Sequence, residues 1–253
     1  MQFPAPLTRG TLIRRYKRFL SDIELEGVGT VTAHVANPGS MIGLAEPGSD
    51  VWLSPNANPK AKLAWRWELV RVGDYLVGVN TAHPNRLIED AIGADARRSS
   101  EGGGRPKPAV GVLEPLAGYA VCRREVRYGQ NSRIDLLLEN GARPPCYVEI
   151  KNVNLRRRLP GRETAAEFPD AVTKRGTKHL VELGEMVAAG ARAVMLYLVQ
   201  RGDCDHFRIA EDIDPAYAAA LTEARARGVE TLCYECDMRL DGIDVAGALP
   251  LEL

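Results

Sequence analysis

Two acidic residues stand inside apolar runs in the segment Arg133–Val153, RIDLLLENGARPPCYVEIKNV, and that placement limits what the chain can build around them. Ile134, Leu136 and Leu138 alternate, as do Val148 and Ile150, which is the pattern of strands with one buried face. Asp135 and Glu149 fall on the opposite faces. Asn140, Gly141, Pro144 and Pro145 supply turn chemistry, so the segment reads as a hairpin. Pairing Leu138 with Cys146 then sets Asp135 directly opposite Glu149. Opposed side chains lie roughly 4.5–5.5 Å apart, where two carboxylates repel and each raises the pKa of the other. Lys151 follows Glu149 by two residues and points the same way on an extended strand, about 7 Å along.

Two carboxylates with little water around them suit a hard divalent cation, Mg²⁺ or Mn²⁺, which takes oxygen ligands. A neighbouring lysine can act on the attacking water or steady charge on a phosphate, so Asp135, Glu149 and Lys151 together describe metal-assisted phosphodiester hydrolysis. The competing reading makes both acids ordinary residues on the polar face of a half-solvated hairpin, with Glu149 and Lys151 an incidental ion pair. The D…ExK spacing is common by chance and does not separate the two.

The flanking sequence fixes the fold class. After Lys151 comes the basic run KNVNLRRRLPGR. An Asp170 start signal then opens a helix with Val172, Leu180, Leu183 and Val187 on one side and Gly190 as its stop. Val194–Val199 reads as a fully buried strand. The pattern repeats, with Asp214 as N-cap, Pro215 as first helical residue, Gly228 as stop and Val229–Cys233 as strand. This is α/β architecture around a mixed sheet. The N-terminal region is instead rich in short strands (TLIRRYKRFLSDIEL, GTVTAH, SDVWLSP, LAWRWELVRV, YLVGVN) and fits a small barrel. Arg14, Arg15, Lys17 and Arg18, interleaved with Tyr16 and Phe19, would meet phosphates while rings stack on bases. The tryptophans at 52, 65 and 67 are expected in the barrel interior.

The segments PLTRGTLIRRYKRFLSDIEL, NPGSMIGL, REVRYGQNSRIDLLLE, CYVEIKNVNL and FPDAVTKRGTKHLVEL resemble those of the sugar fermentation stimulation protein A family, across most of the chain. The resemblance implies an OB-like nucleic-acid-binding domain over 1–82 and a PD-(D/E)xK nuclease-like α/β domain over 83–253. It also implies DNA binding, a part in regulating maltose metabolism, and a nuclease-like motif on Asp135, Glu149 and Lys151. A further metal-ligating acid is expected from the preceding helix, Glu89 or Asp90, with Asp90 preferred. Arg133 joins the expected nucleic-acid contacts, and Glu125 is a secondary candidate. The chain departs from the family's NTGSM by having Pro38, and it carries a long SSEGGGRPKPAVGV stretch where the family is expected to be shorter.

His34 and Asn37, in AHVANPGSM, either hold their loop by hydrogen bonds or face a ligand. Arg175, Lys178 and His179 form a cationic cluster that either binds phosphate beside the metal or solvates a helix face. GGGRPKP lacks the Lys-Ser/Thr of a phosphate loop and reads as a linker or surface insertion; no GxSxG, Walker or HExxH pattern is present. The 33 basic and 33 acidic residues cancel, so nucleic-acid binding must come from local patches. The N-terminus MQFPAPLTRG is too polar for a signal peptide and no long apolar span follows, giving a cytoplasmic expectation and no membrane partner. Five scattered cysteines read as reduced packing thiols. Two functions remain open at this point: a Mg²⁺- or Mn²⁺-dependent nuclease acting on nucleic acid, with DNA the first expectation, or a DNA-binding regulator that keeps the scaffold without turnover.

Overall fold

The computed structural model describes residues 1–58, 60–100, 113–161 and 163–253, with residues 94–100 given by their helical backbone alone. The Gly-rich stretch expected to be a linker or insertion falls outside the described residues. Alternating apolar side chains make six N-terminal strands: β1 (Thr8–Tyr16), β2 (Leu20–Leu25), β3 (Gly29–His34), β4 (Asp50–Pro55), β5 (Trp65–Val72) and β6 (Tyr75–Gly78). They pair in the order β3-β2-β1-β4-β5-β6, and an added β3–β5 pairing closes the first five into an OB barrel. Leu12, Ile23, Leu53, Trp67 and Val77 fill its interior. Trp52 and Leu69 are also buried but pack outward, in the core of the second domain.

That domain opens with α1 (Pro84–Ser100) and continues through β7 (Val121–Tyr128), β8 (Ser132–Asn140), β9 (Arg143–Val153) and β10 (Ala165–Phe168). Next come α2 (Lys174–Ala188), β11 (Arg192–Val199), β12 (His206–Ile209), α3 (Pro215–Ala226), β13 (Glu230–Met238), β14 (Ile243–Ala248) and β15 (Leu251–Glu252). The main sheet is mixed, in the order β14-β13-β11-β9-β8-β7: β9, β11 and β13 run parallel, and β7, β8 and β9 are antiparallel. One face, with Leu136, Leu138, Val148 and Leu196, packs on Leu87, Ile88 and Ile92 of α1 and on the barrel's Trp52 and Leu69. The other, with Leu137, Met195 and Tyr197, is covered by Leu180 and Leu183 of α2 and Tyr217 and Leu221 of α3. Ile134 joins this second core, so it does not share a face with Leu136 and Leu138 as the alternation alone suggests.

Three local expectations change. Pro144 and Pro145 lie inside β9 just past a tight turn, on the part of that strand that has no β11 neighbour, where a residue without N–H is tolerated. The second helix begins at Lys174: Thr173 is its N-cap and accepts from Gly176 N at 3.1 Å, while Asp170 serves another contact and Val172 is exposed. In α3, by contrast, Asp214 caps the helix by accepting from Tyr217 N at 3.0 Å, and Pro215 follows it. The five cysteines are free thiols, four of them buried. No described helix is long and apolar enough to cross a membrane.

Candidate active site

β9 is the inner strand that carries the chemistry, because its odd-numbered side chains face α2 while Val148 and Ile150 enter the opposite core. The β8–β9 ladder runs through Leu138–Cys146 to Leu136–Val148 and goes no further. The acids are therefore not a paired rung. Asp135 turns one oxygen, Oδ2, to the Ile150 N–H at 2.7 Å, and its Oδ1 accepts from Asn85 Nδ2 of α1 at 2.8 Å. Burial, and then the Glu149 charge, raise the Asp135 carboxyl to about 6, against the pull of those two donors.

Glu149 is 3% exposed. Its Oε1 receives Lys151 Nζ at 2.7 Å and a very short hydrogen bond from His179 Nδ1. Burial pushes this carboxyl up, and the His179 and Lys151 partners outweigh it and hold the group below its usual range. Arg175 Nε donates to His179 Nε2 at 3.3 Å, which leaves Nδ1 as the protonated ring nitrogen facing Glu149. Glu149 Oε2 is buried with no hydrogen-bond partner among the described residues. A buried carboxylate oxygen without a donor is costly to hold.

Asp135, Glu149 and Lys151 border a cavity of about 450 Å³ that Arg175 also lines. The barrel supplies one wall, Asn37–Gly39. Ser40 Oγ donates to the Asp170 carbonyl at 2.7 Å, the Met41 N–H reaches Asp170 Oδ2 at 3.3 Å, and a Cβ at Gly39 would stand 2.2 Å from that oxygen. Asn37 is buried and structural: Nδ2 donates to Val79 O at 3.1 Å and Oδ1 accepts from Gly39 N at 2.9 Å.

Several expected site residues lie elsewhere. Asp90 is exposed and pairs with Arg86 at 3.6 Å, and Glu89 pairs with Arg124 at 3.5 Å, so neither helix acid lines the cavity. The packing of Ile88 and Ile92 turns Asn85, not Asp90, toward Asp135. Lys178 faces Glu182 at 3.5 Å and Gln130 O, away from the cavity, and His179 is buried against Glu149 and not free for phosphate. Arg14 is neutralised by Asp22 at 2.8 Å, and Arg15 donates to the carbonyls of Arg18, Asn37, Gly39 and Ser40, which leaves Lys17 and Arg18 of that patch exposed. Arg133 is exposed opposite Arg127 beside a small separate cavity, Glu125 is exposed at a left-handed kink in β7, and His34 stacks on Phe19. Asn85 and Asp170 are the site residues that sequence reasoning passed over. Asn85 carries one legible signal, its i, i+3, i+7 spacing with Ile88 and Ile92.

Residues 13–79 match the family described as "SfsA N-terminal OB domain", and residues 82–242 match "Sugar fermentation stimulation protein RE domain". A sugar fermentation stimulation protein homolog of Paramagnetospirillum magneticum is 55% identical over 253 residues, covering 100% of this chain and 98% of the relative. One from Rhodospirillum centenum is 55% identical over 251 residues, covering 99% of each. The structure described as Pyrococcus furiosus SfsA in complex with Ca²⁺ aligns with a TM-score of 0.81 at 24% identity, covering 100% of this chain and 98% of that one.

Proposed function

The chain belongs to the sugar fermentation stimulation protein family, and we propose that it is a divalent-metal-dependent nuclease that hydrolyses phosphodiester bonds at Asp135, Glu149 and Lys151. The observation that carries this reading is Glu149 Oε2, a buried carboxylate oxygen without a partner among the described residues, in a cavity shared with a second, half-buried carboxylate and a lysine. Two carboxylates and solvent fit Mg²⁺ or Mn²⁺, so Asp135 and Glu149 would hold the ion. The Pyrococcus furiosus protein is described with Ca²⁺, an ion of the same oxygen preference, which supports the choice. Such an ion supplies charge neutralisation at the scissile phosphate and eases deprotonation of the attacking water.

The protein's own groups do the rest. His179 and Lys151 both bind Oε1 and so fix the Glu149 rotamer. Asn85 and the Ile150 N–H do the same for Asp135. Lys151, only 13% exposed at its side chain, lines the cavity and would aid the attacking water or the scissile phosphate, and Arg175 would offer a guanidinium to phosphate oxygens. One observation favours a second reading: among the described residues no group of three His, Cys, Asp or Glu could hold a metal ion. In that reading the protein binds DNA without turnover and regulates sugar, including maltose, metabolism. Labelled single- and double-stranded DNA and RNA, incubated with protein and Mg²⁺, Mn²⁺ or EDTA, decide between them. The nuclease reading expects cleavage with metal and none with EDTA; no cleavage of any substrate leaves the binding-only regulator.

A further inference from the structure

The turn between β1 and β2 has an unusual build. Lys17 and Arg18 are both left-handed, at φ 47° and 65°, a conformation that non-glycine residues adopt at a cost. Both are exposed, and among the described residues neither pairs with a carboxylate, unlike Arg9 and Arg14, which are held by Asp50 and Asp22. Phe19 follows with 43% of its surface exposed, and its ring lies nearly parallel to that of His34, at 19° and 6.4 Å between centroids. A single exposed ring is ordinary. A ring pair flanked by two unpaired cations is a different surface, since it offers stacking and phosphate contact together.

This surface is continuous with the cavity. Arg15 joins the Arg18 carbonyl to the carbonyls of Asn37, Gly39 and Ser40, so the turn and the cavity wall form one unit. The Ser40–Asp170 contact then fixes that wall against the second domain. Glu149 and Lys151 border that same cavity, whose lining includes Asn37, Pro38 and Gly39 of this wall.

We propose that this surface binds single-stranded nucleic acid, with a base stacked on Phe19 and His34, phosphates on Lys17 and Arg18, and the strand continuing past Asn37–Ser40 into the cavity. A duplex keeps its bases paired and stacked, so it offers no free base face to the rings unless a nucleotide is extruded. The stacking platform stands on its own geometry; only the path into the cavity rests on the nuclease reading.

The test is equilibrium binding of fluorescein-labelled oligo-dT, oligo-U and a random duplex to the full chain in EDTA, which excludes cleavage. Wild type should prefer the single strands. Phe19→Ala should weaken single-strand binding by about 5- to 160-fold, which corresponds to one stacked base, with duplex binding nearly unchanged. Phe19→Trp should retain it, which separates loss of the ring from misfolding. Equal affinity for duplex and single strands, or single-strand affinity indifferent to Phe19→Ala, overturns the proposal. Because metal is absent, a protein that binds single strands and later proves unable to cut anything defeats the nuclease reading alone. One that cuts duplex with Mn²⁺ but ignores single strands defeats this proposal alone.

Discussion

Asp135→Asn tests how the two acids are held apart. Burial and Glu149 raise the Asp135 carboxyl from 3.8 to about 6. The folded state thus binds a proton that the unfolded chain has already lost, and stability falls as pH rises through that window. Above it, the full shift of roughly two units amounts to about 3 kcal/mol against the apo fold. Asparagine removes the charge and keeps the local bonds: its Oδ1 can accept from the Ile150 N–H while its amide donates to Asn85, whose own side chain flips to present oxygen. The variant should therefore match wild type within about 1 kcal/mol near pH 4 and exceed it by up to about 3 kcal/mol at pH 7.5, or about 6–12 °C in Tm at roughly 2–4 °C per kcal/mol. The assay is thermal unfolding of both proteins from pH 4 to 8 in EDTA, repeated with Mn²⁺. Added metal should raise the Tm of wild type and leave the variant nearly unmoved, because a ligand stabilises only the state that binds it. A stability gap independent of pH, or a variant less stable than wild type at pH 7.5, would refute the reasoning.

Three further outcomes follow from the same geometry. His179→Ala strips Glu149 of one of its two Oε1 donors and should destabilise the apo protein by about 2–4 kcal/mol while weakening Mn²⁺ binding by calorimetry. Gly39→Ala drives a Cβ toward Asp170 and should cost about 1–3 kcal/mol in denaturant unfolding; much of that loss should vanish in an Asp170→Ala background, as a double-mutant cycle will read. Removing Lys17 and Arg18 together should flatten the salt dependence of single-strand binding by about 1.4 units of slope, whereas Arg14→Ala, already paired with Asp22, should leave the slope within error.

The hairpin, the buried Val194–Val199 strand, a small N-terminal barrel and the Asp214–Pro215 cap were legible because each is written in local periodicity or in a local start signal. The Leu138–Cys146 register was legible too, since the hydrophobic pattern and a short turn specify it. What escaped depends on contacts distant in sequence. Asp170 looks like a helix cap until Ser40 and Met41, about 130 residues earlier, claim it, and the cap passes to Thr173. Asp90 looks like a ligand until the packing of Ile88 and Ile92 fixes the helix rotation and points it at Arg86. The basic run Arg9–Arg18 looks unpaired when scanned along the chain. The β1–β2 hairpin, however, sets Arg14 opposite Asp22, and β4 brings Asp50 to Arg9. The buried position of His179 against Glu149 joins a helix to a strand across 30 residues, and no pattern in either segment announces it.

The most direct measurement compares wild type with Lys151→Ala for cleavage of labelled nucleic acid in Mn²⁺, both at saturating protein. Lys151 is the group assigned to the reacting atoms, while Asp135 and Glu149 are assigned to the ion. Lys151→Ala also takes one donor from Glu149 Oε1, so Mn²⁺ is held at saturation for both proteins; the variant should then bind nucleic acid much as wild type does and cut about 10²- to 10³-fold more slowly. Equal cleavage by the two proteins, or no metal-dependent cleavage by wild type on any DNA or RNA offered, would contradict the assignment of this site to phosphodiester hydrolysis.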